Sequence, residues 1–231
     1  MKIRIISVNT EDIKDFDSVQ SFGHQVENGQ KLRYQVRRSK IKEFISTNNL
    51  PISIFDAVTP NKFKINDNVV EFNNLKFELS DDSEFYISNI LSHYQIWNLD
   101  EDTLILEDDV ILDKNQLDEI STLIGSFKEI EFDNKVLYLQ LSTPWHESFF
   151  DKEFSLQPLN EHFGKYIGGD LSGTSALFLT KECKKIILNN LQPLCACDKY
   201  FNKLRSIGIL QFYLPNDKTK MMRLDKNTSW L

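Results

Sequence analysis

Tyr86-Ile-Ser-Asn-Ile-Leu-Ser-His-Tyr-Gln-Ile-Trp97 and, after a five-residue link, Thr103-Leu-Ile-Leu-Glu-Asp-Asp-Val110 are the stretches on which the reading of this chain turns. The first places Phe85, Ile90, Leu91, Tyr94 and Trp97 at helical spacing and predicts a helix over 84–99, with Asp81, Asp82 and Ser83 as capping residues ahead of it. The second opens with an apolar run that does not alternate, the pattern of a strand buried on both faces. Glu107, Asp108 and Asp109 follow at once. In open α/β sheets that C-terminal strand edge is where ligands bind. Side chains alternate along a strand, so Glu107 and Asp109 start out on one side and Asp108 on the other. Carboxylates this close repel one another unless a cation or a proton intervenes. Mg²⁺ or Mn²⁺, held by one or two carboxylates and a substrate diphosphate, is the natural resolution; a solvated acidic turn is the alternative.

Outward from this block the same periodicities continue. Residues 2–8 are rich in isoleucine and predict a buried first strand. Leu32, Val36, Ile41, Phe44 and Ile45 predict a helix over 31–48, and 52–58 a second strand. A β-α-β opening of this kind builds a parallel sheet covered on both faces. Residues 61–80 are polar and Asn-rich, and read as an irregular surface excursion. Downstream, helices are expected over 115–127, 180–190 and 198–207, and strands over 135–141, 174–179 and 209–214. No repeat and no Gly/Ser- or Pro-rich linker interrupts this alternation, so one α/β domain over 1–231 is expected.

Composition narrows the function. The chain has 231 residues, 41% of them hydrophobic and 26% charged, as in a globular domain. A net charge of −7 excludes a protein that binds nucleic acid non-specifically, which needs a basic surface. Cys183, Cys195 and Cys197 are too few for a disulfide framework, and a lone C-x-C is a poor zinc site. No run approaches the roughly 20 apolar residues of a membrane span. Together with an N-terminus lacking a signal-peptide pattern, this predicts a cytoplasmic protein or one at the cytosolic face of a membrane. Lys-Met-Met-Arg at 220–223 and Trp230 offer a peripheral membrane contact.

The helix with Ser92-His93 and Trp97, followed by the strand ending in Glu107-Asp108-Asp109, resembles the central motif of glycosyltransferase family 25. Phe55-Asp-Ala-Val58, the pair Arg37-Arg38, Gly173-Thr-Ser-Ala-Leu-Phe-Leu-Thr180 and Asp198 resemble flanking elements of that family, over roughly 32–198. Two departures stand out: 11–30 intervenes before the arginine element, and Ile87-Ser88 replaces a Gly-Cys pair. The resemblance implies a GT-A-like fold, with a central, mostly parallel sheet flanked by helices. It implies a nucleotide-sugar-binding half over about 1–112 and an acceptor-binding half over about 113–231. It also implies an inverting hexosyltransferase, most often using UDP-galactose with Mn²⁺ or Mg²⁺ and acting on an oligosaccharide or glycolipid.

On that reading Asp109 is the leading metal ligand, with Asp108 assisting. Asn9, Arg37, Arg38, Asp56, Ala57, Ser92, Glu107 and Asp108 are donor-binding candidates. Inversion needs a base on the acceptor hydroxyl, and Asp198 is the candidate, against an N-cap for the helix after it. His93 reads as either a base or a hydrogen-bonded packing residue. Trp145 and His146 read as either a sugar-stacking pair or an aromatic loop anchor, and Gly173 and Thr174 are the other acceptor-side candidates. Two other classes remain open: a catalytically silent relative that binds a glycan or partner, and a two-metal phosphohydrolase. The latter wants Asp where Glu107 stands.

Overall fold

The residues described in this computed structural model are 1–12, 28–80, 84–140 and 155–224. The isoleucine run becomes β1 (Lys2–Ser7), parallel to β2 (Ile52–Asp56) on one side and to β6 (Thr103–Glu107) on the other. Beyond β6 lie β10 (Ala176–Leu179), β7 (Lys135–Tyr138), β11 (Gln211–Pro215), β9 (Phe163–Tyr166) and β8 (Leu156–Pro158). The eight strands form one sheet in the order β2-β1-β6-β10-β7-β11-β9-β8. Only β10 and β9 run against the rest, so the sheet is mostly parallel in sense although antiparallel pairings enter at both of them. Strands from both expected halves, 1–112 and 113–231, share it.

Alternation along the strands sorts the core into two layers. Ile3, Ile5, Leu104, Leu106 and Phe178 face α1 (Asn28–Asn48) and α3 (Lys114–Lys128). Ile6, Ile105, Leu177, Leu179 and Phe212 face α2 (Glu84–Trp97), α4 (Lys181–Asn189) and α5 (Cys197–Ser206). Local chemistry fixes where helices begin. The Asp113 carboxylate accepts from Gln116 N at 2.8 Å and starts α3; Thr180 Oγ1 accepts from Cys183 N at 3.1 Å and starts α4.

The stretch 61–80 is not irregular. It forms a second sheet of β3 (Lys64–Asn66), β4 (Val69–Phe72) and β5 (Leu75–Glu78), antiparallel throughout. The asparagines are its turns: Asp67 and Asn68 have φ of 46° and 61°, Asn73 and Asn74 of 49° and 63°. Left-handed pairs of this kind make the tight turns whose twist suits a hairpin, and Asn tolerates them best after Gly. Val70, Phe72 and Phe77 are buried against the first core layer.

Other expectations shift in detail. β8 and β9, of three and four residues, were too short to announce themselves. The expected strand over 135–141 ends at Tyr138. Trp145, His146 and Trp230 lie outside the described residues. Met221 and Met222 are buried, Met222 N donating to Leu139 O at 2.6 Å, so these methionines cover the core rather than face a lipid surface. Among the described residues no helix is long and apolar enough to cross a membrane.

Candidate functional site

Parallel pairing sets the site's frame. Register places Ser7 beside Asp56 and Ile6 beside Glu107, so the C-terminal ends of β2, β1 and β6 line one edge. Asn9, Asp56 and Ala57 therefore sit along the same edge as the acids. Arg38 of α1 ties it together, donating from Nη2 to Asp56 Oδ1 at 2.5 Å and from Nη1 to Ser7 O at 3.2 Å. Asn9 Nδ2 reaches Asp56 Oδ2 at 3.5 Å, and Ala57 N donates to Ser7 O at 2.9 Å.

The three acids are treated differently. Glu107 faces α2, as alternation requires, and its Oε1 accepts from Asn89 Nδ2 at 3.2 Å, His93 Nε2 at 3.0 Å and Thr174 Oγ1 at 2.8 Å. Its Oε2 accepts from Ser175 Oγ at 3.2 Å. Burial raises this carboxyl's pKa, but the His93 contact and the other donors outweigh it and hold Glu107 below its ordinary value. Asp108 faces α1: Arg37 Nη1 donates to its Oδ1 at 3.2 Å and Val8 N to its Oδ2 at 3.2 Å. Arg37 is itself 5% exposed and lies over the Tyr34 ring at 5.8 Å. Burial nonetheless leaves Asp108 above its ordinary pKa, against the pull of Arg37.

Asp109 is the exception. It is 7% exposed, and its Oδ1 is buried with no hydrogen-bond partner. Burial first, then repulsion from Glu107, pushes its pKa up to about 7. A buried acceptor without a donor costs about 1–3 kcal/mol, so a cation or a proton is what this oxygen lacks. Among the described residues no group of three or more His, Cys, Asp and Glu is arranged to hold a metal. A single anchoring carboxylate, with the remaining ligands from a diphosphate and water, is the arrangement that fits, and it suits Mg²⁺ or Mn²⁺.

Asp198 lies in the first turn of α5 rather than at its cap, which is Ala196. Its Oδ1 accepts from Lys199 N at 2.8 Å and its Oδ2 from Gly173 N at 3.2 Å. Gly173 adjoins Thr174, the Glu107 partner, so the loop before β10 joins Asp198 to the acids. Burial raises the pKa of the Tyr138 phenol, and the nearby charges of Asp198 and Glu107 raise it further.

Ser92 is buried, and its hydroxyl is used inside the protein, accepting from Val58 N at 2.8 Å and donating to Ser88 O at 2.6 Å. It fixes the turn after β2. The structure thus gathers Asn9, Arg37, Arg38, Asp56, Ala57, Glu107, Asp108, Asp109, Gly173, Thr174 and Asp198 around one sheet edge, with Ser92 behind it. Sequence reading missed Asn89 and Ser175. Asn89 was findable, because it precedes His93 by one helical turn and shares its face. An open cleft of about 430 Å³ on the α1 side, lined by Arg37, Phe44, Asp108 and Ile111 among others, had no sequence signal.

The fold therefore presents an acidic strand end on an α/β sheet, with one under-partnered carboxylate among its acids. The sequence profile of glycosyltransferase family 25 (LPS biosynthesis protein) matches residues 32–198, and the chain belongs to that family. No curated protein matches the chain. Among solved structures, the chain is similar to a putative glucose-1-phosphate thymidylyltransferase from Bacillus anthracis in complex with a sucrose, at 10% identity and a TM-score of 0.38, over 92% of this chain and 86% of that one.

Proposed function

We propose that this glycosyltransferase moves a hexose from a UDP-sugar, galactose being the first donor to test, to a hydroxyl of an oligosaccharide or glycolipid. The observation that carries the reading is the buried, unpartnered Oδ1 of Asp109 at the end of β6. Asp109 would hold Mn²⁺ or Mg²⁺. The ion, when bound, would offset the charge that builds on the leaving diphosphate, an effect worth several kcal/mol. Asn9, Asp56 and Ala57, at the ends of β1 and β2, supply polar edges for the nucleoside. Arg38 holds Asp56 in place for it.

Inversion requires one displacement, with a base taking the acceptor proton as the sugar carbon is attacked from the face opposite the diphosphate. Asp198 is that base. Its carboxylate is fixed by Gly173 N and Lys199 N, and still has acceptor capacity.

The test is a panel of nucleotide sugars, monitored by release of nucleoside diphosphate with Mn²⁺ and then with a chelator. The expected result is turnover that chelator removes, and an Asp198→Asn variant slowed by about 10²–10⁴-fold with donor binding retained. Wild-type protein that neither binds nor turns over any donor would sink the proposal.

A further inference from the structure

We infer that Glu107 and His93 act as positioning residues: Asn89, His93, Glu107 and Thr174 form a part-buried strut that sets Asp198 against Asp109. The inference rests on the transferase reading of this site.

Four donors meet the Glu107 carboxylate, from Asn89, His93, Thr174 and Ser175. An ionised carboxylate offers about four lone-pair positions. Three of these donors crowd Oε1 and one reaches Oε2, so the protein itself fixes the carboxylate's orientation. His93 is fully buried, its Nε2 is taken by Glu107, and its Nδ1 is enclosed with no partner. An acceptor hydroxyl has no route to either nitrogen, so His93 is not the base. Trp97 one turn on, at 5.9 Å between ring centres, backs the imidazole from behind.

The strut has a main-chain half as well. Glu107 N donates to Ser175 O at 2.8 Å, so side chain and backbone of one residue grip consecutive residues of the loop before β10. Ser175 N is held in turn by Gln140 Oε1 at 2.8 Å. One residue earlier Gly173 N binds Asp198. Asp109 lies two residues beyond Glu107 in the other direction. Candidate base and candidate metal anchor are thus linked through Glu107 and the 173–175 loop, over a span of a few bonds. Misplacing a reacting group by about 1 Å costs on the order of 100-fold in rate. A strut of this kind should register in turnover and not in donor affinity.

The experiment compares Thr174→Val, which removes the hydroxyl at constant size, with Thr174→Ser, which keeps it, and His93→Leu with His93→Gln, whose amide restores a donor near the Nε2 position. Thr174→Val should lower kcat about 10- to 100-fold with donor KM changed less than about threefold. Thr174→Ser should recover to within about threefold of wild type, and His93→Gln should exceed His93→Leu. Overturning results are a Thr174→Val kcat within about twofold of wild type, a loss carried by donor KM, or Ser and Val variants that behave alike.

If wild-type protein turns over no donor, the transferase reading fails and the strut is judged separately. Amide hydrogen exchange at 173–175 should then quicken in Thr174→Val and in Ser175→Ala at unchanged global melting. Exchange equal to wild type in both variants overturns it.

Discussion

At the N-terminal end of β6 the Lys184 ammonium reaches from α4 to Thr103 Oγ1 at 3.1 Å and to Ile96 O at 3.2 Å. At the C-terminal end of the same strand Asp109 is nearly as deep and has an oxygen with no partner. Both charges are penalised by burial, which pulls Lys184 down to about 8 and, with repulsion from Glu107, pushes Asp109 up to about 7. The difference is in what the fold does next. Lys184 is given a carbonyl at the end of α2 and a strand hydroxyl, so it stitches three elements together. Asp109 is left short, which is tolerable where a ligand completes it and wasteful where none does.

Asp109→Asn should break this contrast most visibly. Turnover should fall by about 10²–10³-fold, as expected when an electrostatic group at the reacting centre is removed. Stability should move the other way. Native Asp109 keeps its proton up to about pH 7, whereas the unfolded side chain loses it near its ordinary value of 3.8. The metal-free protein therefore loses stability as pH rises from about 4 to 7 and levels off above. The Asn variant lacks that loss and should gain on the order of 1–4 kcal/mol at pH 8. Urea denaturation in chelator at pH 5 and pH 8 measures both terms, and a variant less stable at pH 8 would refute the reading.

Gly173→Ala probes the loop between the two carboxylates and should have an intermediate effect. Gly173 has φ +84°, and an added Cβ would lie 2.5 Å from Gln140 Nε2. The substitution should cost about 1–2 kcal/mol and shift the amide that holds Asp198, lowering kcat roughly tenfold. Thermal melting and steady-state kinetics on one preparation separate the two.

Lys184→Met should have the smallest effect on activity, with turnover within about twofold of wild type. Its signature is in pH. Native Lys184 gives up its proton near pH 8 and the unfolded one near 10.5, so the penalty is full below pH 8 and fades as pH rises to 10.5. Wild-type stability should contain that rise and the Met variant should not. Replacing a buried charge by an apolar side chain of similar size is otherwise close to neutral, within roughly 1 kcal/mol.

The legible parts of the molecule were those in which one physical signal dominates. β1, α1, α2 and β6 follow from apolar periodicity, and their ends fall within a few residues of expectation. The acidic cluster was legible because three carboxylates after a buried strand are costly without a purpose. The three-stranded insert was misread because asparagine, scored by polarity, looks like loop; scored by its tolerance of left-handed backbone, it marks turns at Asp67-Asn68 and Asn73-Asn74. Asp198 reads as a base from its resemblance to a family element, or as a cap of the helix after it; its pairing with Gly173, 25 residues away, is a tertiary contact that local pattern does not carry.

Sequence alone determined that the chain is an α/β domain of glycosyltransferase family 25 whose acids end a buried strand, since residue type and period are local properties. Only the tertiary structure decided which acid has which task. Asp108 meets Arg37, 71 residues away; Glu107 meets α2 and the loop before β10; Asp109 meets no donor at one oxygen. Three adjacent carboxylates are chemically alike until packing assigns each its partners. The electrostatic cost of a buried charge depends on those partners and not on its position in the chain.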